Sequence, residues 1–291
     1  MALSFPSSPS VGATSTQNGR TYTWTGYAWE LVAGGGGSVT IPASGDQYFD
    51  NVSLALKMQG VTGSTAFTDS SIRPKTATVY STAKISTAQS KFGGSSGLFN
   101  GTSDYISFPA DSDFNFGSGD FTIEAWIYQT ANAGSYAGDS AACILGQDDS
   151  TNGTSSYGWS VNLNPSAPNN FAFFYTTTAG DRKSVSVTSG ISLNAWTHVS
   201  ISRNANKIYL FVNGVLKNSG GTTFTDTLRD STTTLKVGGQ VFDGTYKYFF
   251  PGYIDDLRIT KGVGRYTATF TLGTGTFPTS YTAAQTISVT Y

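Results

Sequence analysis

Cutting a glycosidic bond needs two facing carboxylates, about 5–5.5 Å apart in a retaining enzyme. The chain has only two glutamates, Glu30 and Glu124. On a strand, Glu124 has no acidic residue two or four positions away on its face except Asp120, at the strand's start. No catalytic pair is therefore expected, and the chain reads as a non-enzyme. The single histidine, His198, leaves a Ser/His/Asp triad open by composition alone. The single cysteine, Cys143, cannot close an internal disulfide, and with one histidine there is no Cys/His cluster for zinc. Its neighbours Ile144 and Leu145 predict a buried, inert thiol.

Binding a sugar asks for something different. Hydroxyls need short polar side chains and flat C–H faces need aromatic rings, together on a concave or loop surface. Two stretches offer this: Asp148, Asp149 and Asn152 with Tyr157, and Asp243 with Tyr246 and Tyr248. The alternative for these tyrosines is to cover a sheet edge or fill a subunit interface.

Residues of these types need a scaffold, and the sequence from Trp196 to Asn218 supplies its clearest piece. Val199 and Ile201 alternate with Ser200 and Ser202, and Ile208, Leu210 and Val212 alternate with Lys207, Tyr209, Phe211 and Asn213. That period of two predicts a three-stranded meander, with Asn213-Gly214 as a type I′ hairpin turn. Tyr105 to Phe108 and Phe121 to Tyr128 also alternate, and no segment sustains a period of 3.6. Trp126 is expected inside, although it is in phase with Thr122 and Glu124 rather than with Phe121, Ile123 and Ile127.

Four segments carry a resemblance in chain order: Gly97 to Phe108, Asp120 to Trp126, Trp196 to Gly214, and Gly252 to Ile259. They are similar to the core strands of laminin G-like domains, within the concanavalin A-like lectin/glucanase jelly rolls. The resemblance implies an all-β, two-sheet antiparallel jelly-roll sandwich over residues 46–271. It also implies a structural role for His198, and a calcium ion that this fold often holds, for which Asp255 and Asp256 are the best candidates. The other reading of that pair has Asp256 bonded to Arg258 and Asp255 capping a turn.

Outside the jelly roll, residues 1–32 read as a small hairpin unit. Asn18-Gly19 marks the turn, and Tyr22, Trp24 and Trp29 form an aromatic face suited to anchoring. The Phe5 to Gly12 opening with Asn18 to Gly26 resembles a short module of bacteriophage tail-fibre and other structural proteins. Ile85 to Phe99 is similar to laminin G-like domains of marine phages. Residues 33–45, with Gly34 to Gly37, read as a flexible linker, and residues 272–291 as a tail ending in a strand.

Charged residues make up 12% of the chain, about half the usual share, and aromatic residues 14%. A surface of that composition is expected to be covered by subunits or used for binding, so a homo-oligomer, in particular a trimer, is expected. Scattered Lys and Arg with a net charge of -1 argue against a nucleic-acid partner. The opening residues lack a basic and apolar leader pattern, and no apolar run is long enough to span a membrane. The sequence reads as a virion surface protein, either an appendage touching host glycans or a capsid-decoration protein, that contacts other virion proteins through residues 1–32 and 272–291.

Overall fold

The computed structural model describes residues 3–32, 37–132, 135–136, 139–148, 158–164, 170–242 and 245–289. The chain divides into two compact units, Met1–Gly45 with Tyr281–Tyr291, and Asp46–Ser280. In sequence the second is inserted within the first.

The larger unit is an antiparallel jelly-roll sandwich. Among the described residues its sheets have seven and nine strands. At the centre of the nine-stranded sheet, Phe121–Gln129 pairs with Trp196–Asn204 on one side and Pro251–Lys261 on the other. The meander continues through Lys207–Val212 to Val215–Leu216. Asn213 and Gly214 have φ of 50° and 74°, the pair of positive values that a type I′ turn requires. In the other sheet, Trp159–Asn164, Asn170–Thr176 and Arg182–Thr188 form a second meander. Phe121, Ile123, Ile127, Phe171, Phe173 and Val161 meet between the sheets in the apolar core.

Pro251–Lys261 carries a bulge. The register against Phe121–Gln129 shifts between Glu124 and Trp126, and Asp256 takes the left-handed φ of 46°, a conformation that aspartate tolerates better than most residues. At the start of the same strand only glycine fits. Gly252 has a φ of 141°, and a Cβ there would lie 2.1 Å from the Tyr128 carbonyl oxygen.

The smaller unit has a three-stranded meander, Thr14–Gln17, Arg20–Trp24 and Trp29–Leu31. Phe5 stacks on Trp29 at 5.1 Å and meets Tyr22 edge-on at 5.0 Å, while Trp24 lies 5.7 Å from Trp29. The three aromatic residues predicted for anchoring thus form their own half-buried cluster with Phe5. Gly37–Ile41 pairs with Gln285–Val289, and Ser44–Gly45 with Tyr281–Thr282. These two pairings span parts of the predicted linker and tail, because two polar, alternating segments can satisfy their backbone groups on each other.

Candidate functional site

The central strand is buried on both faces, which resolves the phase of Trp126. Its inner face holds Phe121, Ile123 and Ile127, and its outer face presents Thr122, Glu124 and Trp126, all at most 5% exposed. Residues 263–280 cover most of the outer face, while Lys91 Nζ lies 3.9 Å over the Trp126 ring and Phe92 meets that ring edge-on at 5.7 Å. Arg265 N donates to Thr122 Oγ1 at 2.9 Å, and Tyr266 N to Ser202 Oγ at 3.2 Å. Tyr266 stacks on Phe270 at 3.7 Å, and Phe270 N donates to the Gly214 carbonyl. The compact unit that contains the sandwich runs from Asp46 through Ser280. The cause is tertiary: a strand face carrying Glu124 and Trp126 has to be roofed.

Beneath this cover lies an ion-pair network. Arg258 donates to Glu124 Oε1 from Nε at 3.0 Å and Nη2 at 2.6 Å, and from Nη1 to Asp46 Oδ2 at 2.8 Å. Arg265 clamps both oxygens of Asp46, at 2.8 and 2.7 Å. Tyr266 Oη donates to Glu124 Oε2 at 3.0 Å. His198 Nε2 is 3.3 Å from the same oxygen, within ion-pair reach but off the alignment of a hydrogen bond, and both of its ring nitrogens lack a hydrogen-bond partner. Burial works to raise the Glu124 pKa, but Arg258, His198 and Arg265 outweigh it and hold the carboxyl at about 2. Burial likewise opposes ionisation of Asp46, and the two arginines keep its pKa below the usual range.

Between the network and the cover is a pocket of about 300 Å³. Its walls include Trp126, His198, Phe270 and Phe277, with Glu124 and Arg258 as its charged groups. The His198 ring meets Trp126, Phe270 and Phe277 edge-on at 5.3, 6.0 and 6.1 Å. The Arg258 guanidinium lies 4.0 Å over the Phe277 ring. Apolar ring faces around a few buried polar atoms can hold a small hydroxylated ligand. Sequence reasoning passed over this site. The available signals were the phase of Trp126 with Glu124 and the aromatic residues Tyr266, Phe270 and Phe277.

The predicted calcium ligands do not assemble. Asp255 Oδ2 accepts from the amides of Lys91 and Phe92 at 2.9 and 3.0 Å, while Asp256 Oδ2 accepts from Phe277 N at 2.6 Å. The bulge sends the two carboxylates to different segments, and among the described residues no three His, Cys, Asp or Glu side chains gather as a metal site. The alternative pairing of Asp256 with Arg258 is not formed either, since Arg258 bonds Glu124 and Asp46. Burial raises Asp255 to about 6 against the bonds from Phe92 and Lys91. It raises Asp256 to about 7 against the Phe277 amide, with the charge of Asp255 adding to the rise.

Of the predicted sugar-binding residues, Asp149, Asn152, Tyr157 and Asp243 lie outside the described residues, as does the side chain of Tyr246. Asp148 is turned inward. It is 1% exposed, and its Oδ2 accepts from Gln240 Nε2 at 2.7 Å, from Ser160 Oγ at 3.3 Å and from Arg182. Its described contacts are those of a buried counterion, and the Gln240 bond brings the roots of the two predicted loops together. Tyr248 is half-buried at a φ of 57°, and its carbonyl accepts from Cys143 N at 2.7 Å. Cys143 is buried, and burial pushes its thiol pKa up.

Residues 100–263 match the family model described as the concanavalin A-like lectin/glucanases superfamily. No curated protein matches the chain. Among solved structures, the binding domain of Paraclostridial mosquitocidal protein 1 is similar at 16% identity and a TM-score of 0.53, covering 75% of this chain and 50% of that one. The receptor-binding domain of botulinum neurotoxin D is similar at 16% identity and a TM-score of 0.52, covering 75% and 51%. Another structure of the serotype D ligand-binding domain, in complex with N-acetylneuraminic acid, is similar at 16% identity and a TM-score of 0.51, covering 74% and 49%. The chain thus spans about half the length of these solved structures. At this identity the likeness is one of fold.

Proposed function

The chain belongs to the concanavalin A-like lectin/glucanases superfamily, and from that premise we propose that it is a non-catalytic, carbohydrate-binding protein of a bacteriophage particle, a tail-fibre or appendage subunit that meets host-surface glycans. The observation that carries the binding part is the pocket, with aromatic walls beside a buried histidine and an ion pair. The serotype D ligand-binding domain, about half of whose length this chain spans, has been seen in complex with N-acetylneuraminic acid. Catalysis is disfavoured because Glu124 is the one carboxylate among the lining residues. Held at about 2, it has no proton to give a leaving group at neutral pH, and a glycosidase needs a second carboxyl group.

The phage assignment rests on the resemblance of residues 5–26 to a phage structural module. In this reading, residues 1–32 and 272–291 contact other virion proteins. Tyr27 is 95% exposed and Val11 75%, which favours a docking role and keeps capsid decoration as the second reading. Self-association, as a trimer, is part of the proposal. Light scattering of the full chain at micromolar concentration is expected to give three times the protomer mass, and a strict monomer would remove it.

The binding part is tested on a glycan array and by adsorption to host cells. Gly275 borders the pocket, and a Cβ added there meets no atom within 4 Å. Gly275→Trp is therefore expected to melt like the wild type while binding sugar at least tenfold more weakly, a change of about 1.4 kcal/mol. Absence of glycan and host binding by the wild type would favour capsid decoration.

A further inference from the structure

We infer that the pocket takes a single uncharged sugar ring, the terminal pyranose of a glycan, with His198 as its directional hydrogen-bonding partner. This rests on the carbohydrate-binding reading and narrows it to one class of sugar.

The size sets the first limit. At about 300 Å³ the pocket is at the small end of ligand sites, which run from about 300 to 1,000 Å³, so it suits one ring rather than a bound oligosaccharide.

Charge sets the second. Arg258 spends Nε and Nη2 on Glu124 and Nη1 on Asp46, and lays its face over Phe277. Three of its five N–H groups are thus engaged, and the charges of Arg258 and Arg265 are already balanced by Glu124 and Asp46, so the carboxylate or sulfate of an acidic sugar would enter as an anion without a counterion of its own, which is costly in a buried site. An amino sugar fares no better at Glu124. Oε1 holds two arginine donors, and Oε2 holds Tyr266.

The unspent polar group is His198. It is 1% exposed, lines the pocket, and has no hydrogen-bond partner on either nitrogen. A buried polar group left unpaired is a standing cost that a ligand can relieve. A sugar hydroxyl both donates and accepts, so it serves the imidazole in either tautomer. An aliphatic ligand would leave the cost in place. Trp126, Phe270 and Phe277 meet the same ring edge-on and line the pocket; one face of each is taken, by Lys91, Tyr266 and Arg258, so a pyranose would lie on the apolar surface that these leave.

The test uses saturation-transfer NMR and calorimetry on the full chain. The neutral probes are the methyl pyranosides of glucose, galactose, mannose and N-acetylglucosamine. The acidic probes are the methyl glycosides of glucuronic acid and N-acetylneuraminic acid. At least one neutral probe is expected to bind and neither acidic one. Both Gly275→Trp and His198→Phe, which keeps a ring and removes its polar atoms, should weaken that binding at least tenfold. Should His198→Phe fail to melt cooperatively, Gly275→Trp and the choice among probes still decide. If an acidic probe binds and Gly275→Trp blocks it, the carbohydrate reading stands and the inference of an uncharged ring falls. Neutral binding that a folded His198→Phe leaves intact overturns the role of the histidine, and binding that Gly275→Trp leaves intact overturns the site. If no probe binds and the glycan array is also blank, both readings fall together.

Discussion

Arg258→Met should destabilise the protein by about 3–5 kcal/mol, lowering the melting temperature of a unit this size by roughly 10 °C. The loss comes less from the missing attraction than from what is left behind. Glu124 and Asp46 would be stranded beneath the 263–280 cover, with side chains 0% and 4% exposed. Arg265 still faces Asp46, but Glu124 would keep only Tyr266 and a poorly aligned His198. The diagnostic comparison is the double variant Glu124→Gln with Arg258→Met, in which the stranded charge at position 124 is gone. It should be more stable than the sum of the two single changes predicts, by more than about 1 kcal/mol. Strict additivity in thermal or denaturant melts would show that the two residues do not act as a pair.

Stability should also peak on the acid side of neutrality. Asp255 and Asp256 have folded pKa values of about 6 and about 7, raised by burial from 3.8. A raised carboxyl binds its proton more tightly in the folded state. Its contribution is therefore fully present below the unfolded value and is lost as pH rises through the folded one. Glu124 has the opposite sign. Lowered to about 2 from 4.5, it contributes above the unfolded value and loses that contribution as pH falls through the folded one. The two trends leave a maximum near about pH 4, close to the unfolded values, with stability falling by a few kcal/mol along a neutral limb from there to about pH 7. Asparagine can still accept the Phe277 amide, so Asp256→Asn should flatten that limb without loosening the cover. Denaturation midpoints recorded from about pH 3 to about pH 8 give the answer. A neutral limb equally steep in Asp256→Asn would mean that another group sets it.

The fold was legible where local pattern and tertiary outcome agree. The alternation from Val199 to Val212 and the Asn213-Gly214 turn are local properties, and the meander follows from them. The site was not legible, because its parts come together only through strand register. Arg258 and Glu124 are 134 positions apart, and Arg258 and Asp46 are 212 apart. Glu124 has no charged partner among its neighbours along the strand; its partners lie across the sheet and in the cover. The bulge at Asp256 was invisible for a related reason. Asp255-Asp256 in sequence suggests two ligands for one ion, and the left-handed conformation of Asp256 sends the two carboxylates to different segments. Trp126 did carry a readable trace: a large aromatic in phase with polar residues marks a strand with a second layer over it.

The insertion of the sandwich within the smaller unit decides where pulling force would be felt. The sandwich begins and ends at one point, with Asp46 N bonded to the Ser280 carbonyl at 2.9 Å. Just outside that point, the flanking segments pair antiparallel, from Gly45 opposite Tyr281 to Gly37 opposite Val289. Tension drawing residues 37 and 289 apart would open these pairs one at a time, like a zipper, before any strand of the sandwich came under strain. The ladder works as a weak link in series, so a protein tugged by whatever it is attached to would give there first and keep its pocket intact.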